Sequence, residues 1–290
     1  MSKPPRLTLP PRARAYLLDT ARGAFAVHEA GAPVRGTALL VPGFTGSKED
    51  FIGLLEPLAD AGYRAVAVDG RGQYESPGPR EEGAYALEEL AGDVLAQAAA
   101  LGAGPVHLVG HSFGGLVSRA AVLRDASAFA SLTLMSSGPA AICEEQQART
   151  KLLVAALEAL REDMPAVWEA MRGQDPEDAV PDSPELAEFL RERWLATVPE
   201  QLIASGRVLI SEPDRIAELA AVPLPKLVLS GSVDYAWPVP LMDDMAERLS
   251  ASRVIVEGAE HSPNAEYPLV TAGALAAFWD SCTGSPEPSR

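Results

Sequence analysis

The chain has 290 residues, 47% of them hydrophobic and 6% aromatic, enough for one large α/β domain or for a core domain that carries an insertion. Its formal net charge of -16 argues against a nucleic-acid partner, which needs a basic face, and against docking on anionic lipid, and it leaves a small neutral substrate unaffected. Two cysteines, Cys143 and Cys282, are too few for a disulfide framework and join no CxxC or Cys/His cluster, so ordinary thiols are expected.

In chain order, the positive charges near the N-terminus are followed by prolines rather than by an apolar stretch, so no signal peptide is expected. No apolar run approaches the roughly 18 residues that span a bilayer, and the reading is a cytoplasmic chain with no membrane partner. Two weak strands are predicted near 15–18 and 24–28. A short apolar run at 37–41 stops at Pro42-Gly43 and reads as a buried strand. Helical spacing over 50–61 places Phe51, Leu54, Leu55 and Leu58 on one face, and Gly62 ends it. A strand follows at 64–68, a helix at 86–101, a strand at 106–109, a helix at 113–123 and a strand at 132–135. From 141 to 220 the pattern is helical with proline breaks at Pro165, Pro176, Pro181, Pro184, Pro199 and Pro213, and the only strand candidate is 208–210. The βα rhythm then resumes with a strand at 226–230, a helix at 240–249, a strand at 253–256 and a helix at 268–279. The Pro-rich tail 283–290 reads as disordered.

Strands alternating with helices imply an α/β fold with a mostly parallel sheet flanked by helices. Residues 1–140 and 221–290 are assigned to the core and 141–220 to a helical cap over one sheet edge. Active sites in such sheets lie outside the carboxyl ends of the strands, so those loops are where chemistry is expected.

One of them carries Gly110-His111-Ser112-Phe113-Gly114-Gly115, G-x-S-x-G between a strand and a helix. A sharp strand-to-helix turn exposes the serine hydroxyl, and the flanking glycines leave room for close backbone packing. A nucleophilic serine needs a base, and the base needs an orienting acid. Of the four histidines, His28 and His107 fall within strands, and His111 adjoins Ser112 and cannot easily face its hydroxyl. His261 follows the last strand, on the same edge as Ser112, and is the candidate base. Asp234 lies in the strand-end loop one βα unit earlier and is the candidate acid. The loop after 132–135 holds no carboxylate, Asp243 and Asp244 fall on a helix, and Glu260 adjoins His261 but should point elsewhere. An oxyanion hole needs two backbone N–H groups. Phe113 supplies one, and the loop Pro42-Gly43-Phe44-Thr45-Gly46 supplies the other from Phe44, with Thr45 as second choice. Pro42 has no N–H to offer.

These residues resemble the α/β-hydrolase superfamily over nearly the whole chain, in the order Ser, Asp, His. Pro42-Gly43-Phe44-Thr45-Gly46 is similar to the His-Gly-Phe-Thr-Gly oxyanion loop of some esterases, with Pro42 in place of the histidine. Asp69-Gly70-Arg71-Gly72-Gln73 looks like the Asp-x-Arg-Gly-x loop of the same superfamily, which shapes the site rather than reacting. The resemblance implies a serine hydrolase, with carboxylic-ester hydrolysis ahead of thioesterase, carbon–carbon hydrolase, peptidase or perhydrolase chemistry. A non-catalytic ligand receptor is the alternative of another class. No metal or organic cofactor is implied, and the expected partner is a small uncharged ester. Met164, Trp168, Met171, Phe189 and Trp194 are candidates to line an apolar pocket in the cap.

Overall fold

Side chains on a strand alternate between its two faces, and here both faces of the central strands are apolar, because helices cover the sheet on both sides. The computed structural model describes residues 2–172 and 182–282. Eight strands form one sheet: β1 (Ala13–Thr20), β2 (Gly23–Ala30), β3 (Gly36–Val41), β4 (Tyr63–Val68), β5 (Val106–His111), β6 (Phe129–Met135), β7 (Lys226–Gly231) and β8 (Ser252–Val256). Their order is β1-β2-β4-β3-β5-β6-β7-β8. β2 runs antiparallel to both β1 and β4, and all other pairs are parallel.

The covering helices sort by face. Leu39, Val41, Val66, Val68, Leu108 and Leu132 turn towards α2 (Leu87–Ala100), α3 (Phe113–Arg124), α8 (Ile216–Ala220) and α9 (Val239–Leu249). The intervening Ala38, Leu40, Ala65, Ala67 and Val109 turn towards α1 (Leu55–Asp60) and α11 (Pro268–Cys282). Between β6 and β7 lie α4 (Glu144–Leu160), α5 (Met164–Arg172), α6 (Pro184–Ala196) and α7 (Pro199–Ser211), followed by α8. Val154, Leu157, Trp168, Leu190, Trp194 and Ile203 give α4 to α7 an apolar cluster of their own. The short α10 (Pro263–Glu266) precedes α11.

Most expected elements are present with ends moved by one to three residues, and three readings change. The single helix expected over 50–61 is a 3-10 turn, Lys48–Phe51, followed by α1. Pro57 is the reason: it lacks an N–H and its ring crowds the carbonyl four residues back, so a helix can hold it only in its first turn. The 208–210 run is not a strand but the end of α7, whose buried Leu209 packs into the core. Pro184 and Pro199 start helices rather than break them, since a missing N–H is harmless at a helix N-terminus. Pro176, Pro181 and the tail 283–290 lie outside the described residues. Cys143 and Cys282 are both free thiols. Among the described residues no helix is long and apolar enough to cross a membrane.

Inside the sheet, His107 on β5 stacks on Trp279, 5.0 Å between ring centroids, meets the edge of Tyr63 and bonds Ser131 Oγ at 2.8 Å. Burial lowers its pKa to about 4. An unfolded histidine titrates near 6.5, so between these values the unfolded chain binds a proton that the folded chain refuses. Stability is therefore lost as the pH falls below about 6.5, at about 1.4 kcal/mol per pH unit for this group. Urea unfolding at pH 7 and pH 5 should show a smaller drop for His107→Gln than for the parent, by about 2 kcal/mol. An equal drop in both proteins would assign the loss to other groups.

Candidate active site

From β3 the chain crosses to β4 on one side, and from β5 it crosses to β6 on the other. Adjacent parallel strands whose connections diverge leave a crevice at their carboxyl ends, the place where open α/β sheets bind ligands. Two loops meet in this crevice. Val41 is paired with Gly110, and beyond them a Cβ on Gly43 would lie 3.3 Å from Ser112 Cβ.

The turn at Ser112 is strained. Its φ of 55° and ψ of -121° lie where a side chain is costly, and α3 begins at the next residue. The surroundings hold it there. Ser112 N–H donates to the Met135 carbonyl at 2.8 Å, and the Ser112 carbonyl accepts from Gly115 N–H at 2.9 Å. A Cβ on Gly110 would run into the Gly114 carbonyl, and one on Gly114 would meet the carbonyls of Val41 and Pro42. Only glycine permits backbone this close, which explains the spacing of the motif.

His261 lies in the loop after β8, with its Nε2 3.0 Å from Ser112 Oγ and its Nδ1 2.8 Å from Asp234 Oδ2. The carboxylate can only accept, so Nδ1 carries the ring proton and the Nε2 lone pair faces the serine hydroxyl. The other oxygen, Asp234 Oδ1, accepts from the backbone N–H groups of Ala236 at 2.8 Å and Trp237 at 3.0 Å. The three side chains thus form one hydrogen-bonded chain across loops from β5, β7 and β8. Glu260 is exposed and takes no part in it.

Phe44 and Phe113 follow β3 and β5 respectively. Among the described residues neither backbone N–H has an acceptor in the protein.

The sequence reading missed several neighbours. His111 donates from Nε2 to the His261 backbone carbonyl at 2.8 Å and so ties the two loops together. It stays neutral, because burial first and the nearby His261 second lower its pKa to about 3. The Tyr235 ring lies 4.6 Å from the His261 ring, and its place next to Asp234 was the available clue. Ser2 reaches the site from the far end of the chain. Its Oγ is 2.7 Å from Ser262 Oγ, and its carbonyl accepts from Arg193 at 2.8 Å. No local pattern could have announced that contact.

Ser112, His261 and Asp234 open onto a cavity of about 1140 Å³. Its walls include Phe44, Ile142, Leu153, Val167, Met171 and Leu209, and its polar side includes Glu145 and Arg149 of α4, which pair with each other at 3.0 Å. Of the five apolar residues expected to line a pocket, only Met171 does so. Met164, Trp168 and Trp194 are buried between the helices, and Phe189 packs on the same cluster with its ring edge-on to Tyr74. An amphipathic helix among helices puts its bulkiest side chains into the helix interface, and sequence alone does not separate that interface from a cavity wall.

The sequence matches the alpha/beta hydrolase fold family over residues 38–267. The chain belongs to that family. A proposed carbamate hydrolase of Variovorax paradoxus is 36% identical over 111 residues, 38% of this chain and 41% of the relative, so the match spans about two fifths of that protein's length. The pimeloyl-[acyl-carrier protein] methyl ester esterase of Aeromonas hydrophila is 31% identical over 228 residues, 74% of this chain and 84% of the relative. A thermophilic esterase from Thermogutta terrifontis superposes with a TM-score of 0.75 at 24% identity, over 93% of this chain and 100% of that one, a likeness of fold. In this α/β hydrolase the strain at position 112 should be measurable without any substrate. Ser112→Gly relieves the positive φ and Ser112→Ala keeps it, while glycine loses more backbone entropy on folding. The glycine variant should be the more stable by about 1 kcal/mol in thermal or urea unfolding. A more stable alanine variant would mean that the strain in the turn is smaller than the entropy glycine loses on folding.

Proposed function

We propose that this α/β hydrolase cleaves carboxylic esters through an acyl-enzyme on Ser112. The observation that carries the reading is the hydrogen-bonded chain from Ser112 Oγ through His261 to Asp234 at the floor of the cavity. In the first half-reaction Ser112 Oγ attacks the ester carbonyl carbon while its proton passes to His261 Nε2. Asp234 holds the tautomer and stabilises the imidazolium. The N–H groups of Phe44 and Phe113 receive the oxyanion. As the tetrahedral intermediate collapses, the C–O bond breaks and the leaving alcohol takes the proton from His261. Water then repeats the sequence on the acyl-enzyme, releasing the acid and freeing Ser112.

Helices within 141–220 act as a cap over a core of 1–140 and 221–290, since Val167 and Met171 of α5 line the same cavity as Ser112. Apolar walls near the nucleophile suit an uncharged ester with an apolar acyl group. Ser112 disfavours opening of epoxides or haloalkanes. An alkylated serine would be an ether with no carbonyl for water to attack, whereas an alkylated carboxylate is an ester.

A series of p-nitrophenyl esters of increasing chain length tests the reading. The wild type should turn over the neutral esters and label with a fluorophosphonate at Ser112, and Ser112→Ala should fold and retain only the small residual rate that oxyanion binding provides. Labelling at another serine, or full activity of the alanine variant, would overturn it.

The acid is tested separately. Asp234→Asn keeps the shape but removes the charge and favours the wrong imidazole tautomer, a change that costs about 10⁴ in kcat in a serine protease triad. A loss of at least about 10² is expected here, with Glu260→Gln near wild type. The reverse ranking of the two variants would assign the acid to Glu260.

A further inference from the structure

Gln73 lies in the loop after β4 and is almost fully buried. Its side-chain amide donates from Nε2 to the Gly43 carbonyl at 2.8 Å and to the Phe44 carbonyl at 3.3 Å. The Gly43 carbonyl belongs to the same peptide unit as the Phe44 N–H, and the Phe44 carbonyl to the same unit as the Thr45 N–H. A trans peptide is planar, and its C=O and N–H point in opposite directions. Whatever fixes those two carbonyls therefore fixes the two N–H groups on the other side. Gly43, Phe44 and Thr45 line the cavity that holds Ser112, and Gln73 does not, so the amide grips the loop from behind.

The grip is itself anchored. Gln73 Oε1 accepts from Gly70 N–H at 2.9 Å, which orients the amide so that Nε2 faces Gly43. The same loop is pinned at Asp69, which accepts from Lys48 N–H at 2.7 Å and pairs with Lys48 Nζ at 3.0 Å. Arg71 pairs with Asp93 of α2. Among the described residues the Gly43 carbonyl has one other donor, Gly46 N–H at 3.2 Å, and the Phe44 carbonyl has none. A hydrogen bond received by a peptide carbonyl also polarises the N–H of that unit, which makes it a better donor.

We propose that Gln73 is a positioning residue for the oxyanion hole: it aims and polarises the Phe44 N–H by holding the carbonyl of the same peptide unit. The inference rests on the ester-hydrolase reading given above. It makes the Asp-Gly-Arg-Gly-Gln loop part of transition-state stabilisation, although none of its residues lines the cavity that holds Ser112. An oxyanion donor counts most when charge has developed on the substrate oxygen, so a misaimed donor lowers kcat and leaves ground-state binding almost unchanged.

Two variants remove the donor. Gln73→Met keeps the volume on a flexible apolar stem, and Gln73→Leu keeps a branched end with neither donor nor acceptor. Removing a whole oxyanion donor costs about 10²–10³ in kcat, so misaiming one should cost about 10- to 100-fold, with KM within about threefold. A trifluoromethyl ketone, which adds to the serine and leaves a charged oxygen in the hole, should bind both variants more weakly by the same factor as the fall in kcat/KM. In the wild type, the Gln73 side-chain amide protons should be protected from solvent exchange, a measurement that needs no variant. The proposal is overturned if either folded variant keeps kcat within twofold, if the loss falls on KM with the ketone affinity unchanged, or if those amide protons exchange freely. Ser112→Ala separates the levels: an active alanine variant overturns the ester-hydrolase reading itself, whereas an inactive one beside fully active Gln73 variants overturns only the role of Gln73.

Discussion

Between the carboxyl ends of β3 and β5 two backbone segments approach so closely that Gly114 has no room for a Cβ against Val41 and Pro42, and within the elbow itself Gly110 has none against the Gly114 carbonyl. Much else in the molecule follows from that crowding. The first turn of α3 can sit against the end of β3 only if the elbow is tight, and a tight elbow forces Ser112 to a positive φ. The strain is held by the helix that begins at the next residue and by the bond from Ser112 N–H to Met135 on the neighbouring strand. Parallel pairing of β3 and β5, with connections that diverge, puts the loop after β3 and the serine after β5 at the same edge of the sheet, facing each other across the gap.

Around this gap a layer of hydrogen bonds fixes loops that have no regular partner of their own. His111 joins the elbow to the loop of His261, the N–H groups of Ala236 and Trp237 hold Asp234, and Gln73 grips the carbonyls of Gly43 and Phe44. Each joins an orienting polar group to backbone, the one kind of partner that every loop offers. Neutral His111 suits its place, since a charged imidazole there would face burial and would repel the imidazolium that the proposed reaction forms on His261.

The helices between β6 and β7 are fastened to the rest by a buried ion pair. Arg193 of α6 donates to Asp50 Oδ1 at 2.8 Å, both side chains are nearly inaccessible, and the same guanidinium bonds Ser47 Oγ and the Ser2 carbonyl. Burial raises the Asp50 pKa to about 6 in spite of the arginine, so desolvation outweighs the attraction. Such a pair adds little net stability. Removing one partner, however, would strand a buried charge at a cost of about 3–5 kcal/mol, so the pair fixes where α6 lies on the core rather than how strongly it holds.

Fold class was legible because it depends on local periodicity: short apolar runs alternating with helical spacing leave few architectures other than a covered, mostly parallel sheet. The elbow was legible because its glycines and serine are adjacent in sequence. His261 and Asp234 could be named as candidates because the parallel rule brings strand-end loops to one edge, and Asp234 is the one carboxylate in the loop after β7. Other features were decided only by tertiary structure. Pro57 splits a helix that apolar spacing alone had joined, and the run at 208–210 pairs with no strand because α7 buries it as a helix. Trp168 and Phe189 pack into the apolar cluster of α4 to α7 while Met171 lines the cavity, a difference set by how these helices sit against one another. Ser2 and Gln73 come to the neighbourhood of the site from places far apart in the chain, and His111, although next to Ser112, is bonded across to the loop of His261. Sequence determines what each segment can form and which chemical groups it carries. Which groups touch across distant segments depends on how whole elements pack, and no local pattern encodes that.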